Sequence, residues 1–306
     1  MTISLKRLSE SYICILFIAI SAGFLIPATK YLVPYNTLFL QIIFFISSLK
    51  LHIQDVARQS KDWKLVLVSN ILMLFILPMA VWIVTRYIAT DMAFPLFLLA
   101  TMPVGMTAPL LVEIVGGNSA LALVTTISTS LLAPLTIPLL TSLTFSATIH
   151  VDAISMFQKL LFVIFLPFIF ALILKRIASK SIHKINARTK PISLLLLGLL
   201  IASAIASHSE DMLAGLQNPF ALLRMIVILY IFFLILHIIG YYSIWWKSKE
   251  DRSTLSVCLT YMNFTLAIVL ALNYFNQPKI ILPLVLSILP WATLLPIWKK
   301  IYIKLP

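Results

Sequence analysis

Apolar residues in this chain come in long blocks, separated by short stretches that collect the charges. Ten blocks can be drawn, at about 11–29, 32–50, 64–86, 92–115, 118–142, 155–174, 191–208, 220–246, 253–275 and 279–298. An α-helix needs about 20 apolar residues to cross the hydrocarbon core of a bilayer, and each block is near that length. The alternation of apolar and polar positions that membrane barrels require is absent. The pattern predicts an all-α polytopic membrane protein of about ten transmembrane helices.

Composition narrows the class further. Of 306 residues, 61% are hydrophobic and 11% charged, and the mean hydropathy is +1.05. Soluble domains carry about 25% charged residues, so a water-soluble fold is excluded. Cys14 and Cys258 both fall in apolar blocks, which excludes a secreted disulfide scaffold. The net charge of +13 is no footprint of nucleic-acid binding. In membrane proteins Lys and Arg gather in cytoplasmic loops.

That rule also sets the topology. With the N-terminus inside and ten alternating spans, 18 of the 23 basic residues fall on the cytoplasmic side. Only Lys30, Arg86, Lys159, Arg224 and Lys279 fall outside. Both termini are therefore expected in the cytoplasm. Lys6-Arg7, a short apolar stretch and Ser21-Ala22-Gly23 imitate a signal peptide, but the apolar run continues to Pro27, which favours a retained span. Ten spans divide into five over 1–142 and five over 143–306. The second set then enters from the opposite side, the arithmetic of an inverted-topology repeat. The repeat follows from the count, since the halves share no clear identity.

Two spans carry unusual polar or backbone features. Span 4 contains Pro103-Val104-Gly105-Met106-Thr107-Ala108-Pro109. Two prolines remove two amide donors, and the glycine loosens the helix between them. Either the helix kinks, or it breaks and lines a polar cavity where half-helix ends can hold an ion or an anion. Span 5 carries Thr125, Thr126, Ser128, Thr129 and Ser130, hydroxyls that either bond back to their own helix or face that cavity. Span 9 carries Thr260, Asn263 and Thr265 but no Gly or Pro, so nothing local demands a break there.

The stretch MPVGMTAPLLVEIVGGNSALALVTTISTSLLAP, ending at Pro134, resembles the bile acid:sodium symporter family. That family's pattern is a glycine-containing break, a Gly-Asn dipeptide and a Thr/Ser-rich helix. SVCLTYMNFTLAIVLALNYF lies where the family carries a second broken helix, matching it at Asn263, Leu266, Ala267, Leu270 and Ala271. The resemblance implies a core bundle of helices 3–5 and 8–10 working against a panel of helices 1, 2, 6 and 7, with helix 4 crossing near helix 9. It also implies residence in a bacterial inner membrane. The departures concern sodium. Where the family has a Ser-Asn pair this chain has Ala108 and Pro109; where it has Glu and Gln, Cys258 and Met262; where it has a third-span Gln, Met73. Thr126 and Asn263 are kept. Sodium wants hard oxygen ligands, so sodium coupling loses most of its side-chain basis here.

The function expected is secondary transport of a small organic anion by alternating access. Thr107, Thr126, Ser128, Thr260 and Asn263 are the expected substrate contacts, around a break made by Pro103, Gly105 and Pro109. The coupling-ion candidates are Thr126, Glu113 and His237, the last two because ionisable residues inside a membrane are costly and carry protons. No cofactor, resident metal or nucleic-acid partner is expected; the lipid bilayer is the medium, and the oligomeric state stays open. An enzyme is disfavoured, since no span holds a paired acid, a Ser–His set or a metal cluster. Two alternatives stay open: a receptor or channel-like protein on the same fold, and an arsenite-type efflux carrier. The latter would want a Cys in the first break and a Glu in the second.

Overall fold

A computed structural model describes residues 5–49, 62–145, 152–177, 189–216 and 218–305. The basic loop residues Lys50, Arg58, Lys61, Lys180, Lys184 and Arg188, and most of the segment joining the two halves, lie outside these. The described residues are helical nearly throughout, and their only β-pairing is one isolated bridge, Val104 to Met262.

Helix α1 covers Leu5–Leu25. A tight 3-10 stretch, Pro27–Tyr35, leads into α2, Asn36–Leu49. Helix α3 runs Trp63–Ile88, with a π-helical turn at Leu72–Ile76. Helix α4 is in two pieces, α4a Ala93–Thr101 and α4b Ala108–Val115. Then follow α5, Ser119–Phe145, α6, Ala153–Ile177, and α7, Thr189–Ala206. A short helix at Ser209–Leu216 precedes α8, Pro219–Tyr242. Helix α9 is also in two pieces, α9a Lys249–Thr260 and α9b Phe264–Leu270, the latter continued by a π turn at Ala271–Phe275. Helix α10 spans Pro278–Lys304.

Among the described residues six helical stretches are long and apolar enough to cross a membrane: Pro27–Leu49, α3, α5, α6, α8 and α10. Pro191–Ala206 and Phe264–Phe275 are shorter apolar helices. The outer surface is apolar as well, with Leu135, Phe162 and Ile231 each more than half exposed. A surface of that kind is stable against lipid and not against water. The fold is that of a multi-pass, all-helical membrane protein.

Two sets of contacts organise the helices. Helix α1 packs on α7, and α2 packs on both α6 and α7. Separately, α3 packs on α4a and α5, α4b on α5 and α9a, and α8 on α9a and α10. A missing side chain permits one of these approaches. A Cβ on Gly240 would lie 2.5 Å from the Ser256 Cα, so only glycine lets α8 meet α9a this closely. The sets touch where α5 meets α6, α1 meets α10 and α2 meets α9b.

Nothing local in span 9 demands a break, yet the helix stops at Thr260 and restarts at Phe264, where the resemblance implied a second broken helix. The cause is tertiary. The broken α4 presents unpaired amides and carbonyls at the same depth, and α9 opens to pair with them.

Candidate functional site

The two breaks cross in the interior and satisfy each other. Gly105 donates its amide to the Tyr261 carbonyl at 2.8 Å, and Asn263 donates its amide to the Pro103 carbonyl at 2.8 Å. The Val104 amide finds the Thr129 hydroxyl of α5 at 3.2 Å. An unpaired backbone group this deep in an apolar interior costs several kcal/mol, about 2–7 depending on the reference state. The crossing therefore stabilises both breaks at once. It also explains Gly105, where a Cβ would stand 2.7 Å from the Tyr261 carbonyl oxygen.

The half-helices that leave the crossing start differently. Helix α4b has Pro109 near its first turn, where a missing amide costs nothing. Its flanking Thr107 makes no side-chain cap. Helix α9b is capped by Asn263, whose Oδ1 accepts from the Leu266 amide at 3.1 Å. Among the described residues, the amides of Met106 and Thr107 have no partner within the protein, so the head of α4b keeps free donors.

Those donors border a cavity of about 100 Å³. Gly105, Met106 and Thr107 form one wall, with Met262, Asn263, Phe264, Thr265 and Trp291 beside them. The opposite wall comes from the other helix set: Leu40, Ile43, Phe44 and Ser47 of α2, and Ser193, Leu194 and Leu197 of α7. Among the described residues, no charged side chain lines it. Its polar groups are hydroxyls, one amide side chain and the head of a helix, set among aromatic and aliphatic walls. Such a surface holds a small, partly apolar molecule, and the helix head favours a negative end.

The expected site residues divide around this cavity. Thr107 and Asn263 line it, as does Gly105 of the break. Pro103 lies in the break with its carbonyl in the crossing, and Pro109 opens α4b. Thr126 and Thr260 are fully buried behind the wall, donating to the Ala122 and Ser256 carbonyls of their own helices at 2.7 and 2.8 Å. Ser128 faces α3, accepting from the Asn70 side chain at 2.9 Å. Glu113 is exposed near the end of α4b, away from the cavity. His237 is completely buried between α8, α9a and α10 rather than at the cavity. Sequence reasoning missed Ser47, Ser193, Phe44 and Trp291, which only the packing of distant helices brings together. It also missed the clamp role of Thr129, which in the sequence is only one hydroxyl of the span 5 cluster.

A family model of SBF-like CPA transporters matches residues 11–289. The chain belongs to the SBF-like CPA transporter family. The resemblance read from the two break motifs therefore holds at the level of the family. Membership makes this a multi-pass membrane protein of a transporter family. A curated relative, an uncharacterized sodium-dependent transporter of Bacillus subtilis (strain 168) called YocS, is 26% identical over 195 residues. That match covers 62% of this chain and 60% of the relative.

Proposed function

We propose that this SBF-like protein is a secondary transporter that carries a small organic anion across the bacterial inner membrane by alternating access. One observation carries the reading. The cavity lies where the two helix sets meet, with both backbone breaks on one wall and intact helices on the other. In this reading the chain crosses ten times, as inverted halves 1–142 and 143–306, with both termini in the cytoplasm. Helices α3–α5 and α8–α10 form the moving bundle, and α1, α2, α6 and α7 form the panel. The separate contact sets support that grouping. Thr107, Asn263 and Thr265, with Ser47 and Ser193 across the gap, hold the substrate. Thr126, Ser128 and Thr260 stiffen the wall behind them.

The same geometry supports a reading of the carrier's state. The cavity is lined by the later part of α2 and the start of α7, which this topology places toward the cytoplasm. At the other end of α9b, Asn273 donates to the Thr37 hydroxyl of α2 at 3.3 Å, tying bundle to panel. These features support reading the carrier as open inward and latched outward.

The relative's name makes sodium the coupling ion to test. The side chains at the family's ligand positions do not fit it. Ala108, Pro109, Met73, Cys258 and Met262 offer no oxygen, and Met73, Cys258 and Met262 are buried. A sodium site here would have to be built from carbonyls and hydroxyls. The same loss favours, as a second reading, a receptor or channel-like protein on this fold.

Thermal unfolding of the purified protein against a set of small carboxylates and sulfonates finds the ligand, because a bound ligand stabilises the folded state by about 2.7 kcal/mol at a hundredfold excess over Kd. Labelled ligand is then followed in proteoliposomes. Saturable counterflow supports the carrier, and binding without movement supports the receptor. The same unfolding series in sodium, potassium and choline chloride at equal ionic strength is expected to give coincident curves. A sodium-specific rise would show a rebuilt site.

A further inference from the structure

Directly behind the crossing, away from the cavity, three buried side chains from three elements leave polar atoms unpaired. These are Nε2 of His237 on α8, the hydroxyl of Tyr261 in the α9 break, and Nε1 of Trp298 on α10. All three residues are at most 3% exposed. They also touch. The His237 ring stacks on Trp298 with centroids 4.6 Å apart and planes 17° apart, and it meets Tyr261 edge-on at 5.6 Å.

The hydrogen bonds of Ser256 fix the chemistry of the imidazole. Ser256 Oγ has one proton, and it donates that proton to the His237 carbonyl at 2.8 Å. The same oxygen lies 3.0 Å from His237 Nδ1, where it can only accept. Nδ1 therefore carries the ring proton, and Nε2 is a bare lone pair. The tautomer is set by the partner of the other nitrogen, as in metal-bound histidines. Buried polar groups rarely stay unpaired, and clusters of them take up ordered water. The set on hand suits one water: the Trp298 indole can only donate, His237 Nε2 can only accept, and the Tyr261 hydroxyl can do either.

We propose that His237, Tyr261 and Trp298 form a buried binding site for a single water molecule, which donates to His237 Nε2 and accepts from the Trp298 indole. The site joins α8, the α9 break and α10. Tyr261 links it to the crossing, because the carbonyl of the same residue receives the Gly105 amide. The water thus holds in place the side chain whose backbone closes the crossing.

The test is nitrogen NMR of histidine-labelled full-length protein in lipid bilayers at neutral pH. The chain has 5 histidines, and the resonance lost in His237→Gln assigns the one of interest. Should that variant not fold, the resonance that moves in Ser256→Ala assigns it instead. The expected result is a proton on Nδ1, none on Nε2, and transfer of magnetisation between Nε2 and water. In Trp298→Phe the water transfer is expected to be lost while Nδ1 keeps its proton. In Ser256→Ala the proton is expected to be released to Nε2. A wild-type ring protonated at Nε2, a doubly protonated ring, or an Nε2 without water transfer would each overturn the proposal. The readout is imidazole chemistry, so its result stands apart from whether the protein transports.

Discussion

The two backbone breaks do the same job by different means. The break in α4 has a local basis, since Pro103 and Pro109 each withhold a backbone amide and Gly105 loosens the helix between them. The break in α9 has no such residues and is borrowed. It lies where the Tyr261 carbonyl and the Asn263 amide pair with α4 instead of with their own helix. Once open, it is finished by a side-chain cap, which α4b lacks. A broken helix can thus be a property of a segment or a property of a pair.

The contrast is broken most severely at Gly105. Gly105→Ala drives a methyl toward the Tyr261 carbonyl, and overpacking of this kind costs about 1–3 kcal/mol. A clear fall in the unfolding temperature of the purified protein is expected, together with loss of ligand binding. An unchanged melting curve would mean that the crossing is looser than described. Thr129→Val removes the acceptor of the buried Val104 amide, a loss of about 1–3 kcal/mol. Because this acceptor serves only the α4 strand of the crossing, ligand affinity is expected to fall with α9 still broken.

Asn263→Ala tests the cap. Loss of an N-cap costs about 0.5–2 kcal/mol, whereas Thr107→Ala, at the equivalent place on α4b, is expected to stay within about 0.5 kcal/mol of wild type. Equal losses in the two variants would erase the distinction between a capped and a proline-started half-helix. Both substitutions are expected to weaken the ligand, since both side chains line the cavity.

The smallest effect lies away from both breaks. Asp62 pairs with Lys247 at 2.5 Å, tying the start of α3 to the α8–α9 connection. The hydrogen bond from Lys247 holds the Asp62 carboxyl below its usual 3.8. Its contribution is therefore present above that value and is lost as the pH falls through the lower folded one. The pair is partly exposed, so Asp62→Asn is expected to cost less than about 1 kcal/mol at neutral pH. The gap between variant and wild type should close in strong acid, as followed by thermal unfolding across pH.

How much was legible follows the same division. The apolar blocks show the helices, and the prolines show the α4 break, because both depend on residues near in sequence. The α9 break was visible only through resemblance to a family, since its cause sits about 160 residues away on another helix. The π turns at Leu72–Ile76 and Ala271–Phe275 carry no local signature at all. Among the hydroxyls, residue type could not decide between cavity and backbone. Thr126 and Thr260 turn to the carbonyl one turn back, the usual resting place of a threonine in a helix. Ser47 and Ser193 stood in plain apolar stretches, and nothing but the meeting of α2 and α7 marks them.

The central claim is that α9 is broken because α4 is. Amide hydrogen exchange across residues 261–266, compared between wild type and Gly105→Ala in the same lipid, reads it directly. The account predicts faster exchange in the variant both at 103–107 and at 261–266, the second stretch losing protection although its own sequence is intact. Unchanged protection at 261–266 beside a disturbed 103–107 would contradict it, and would make the α9 break a local feature after all.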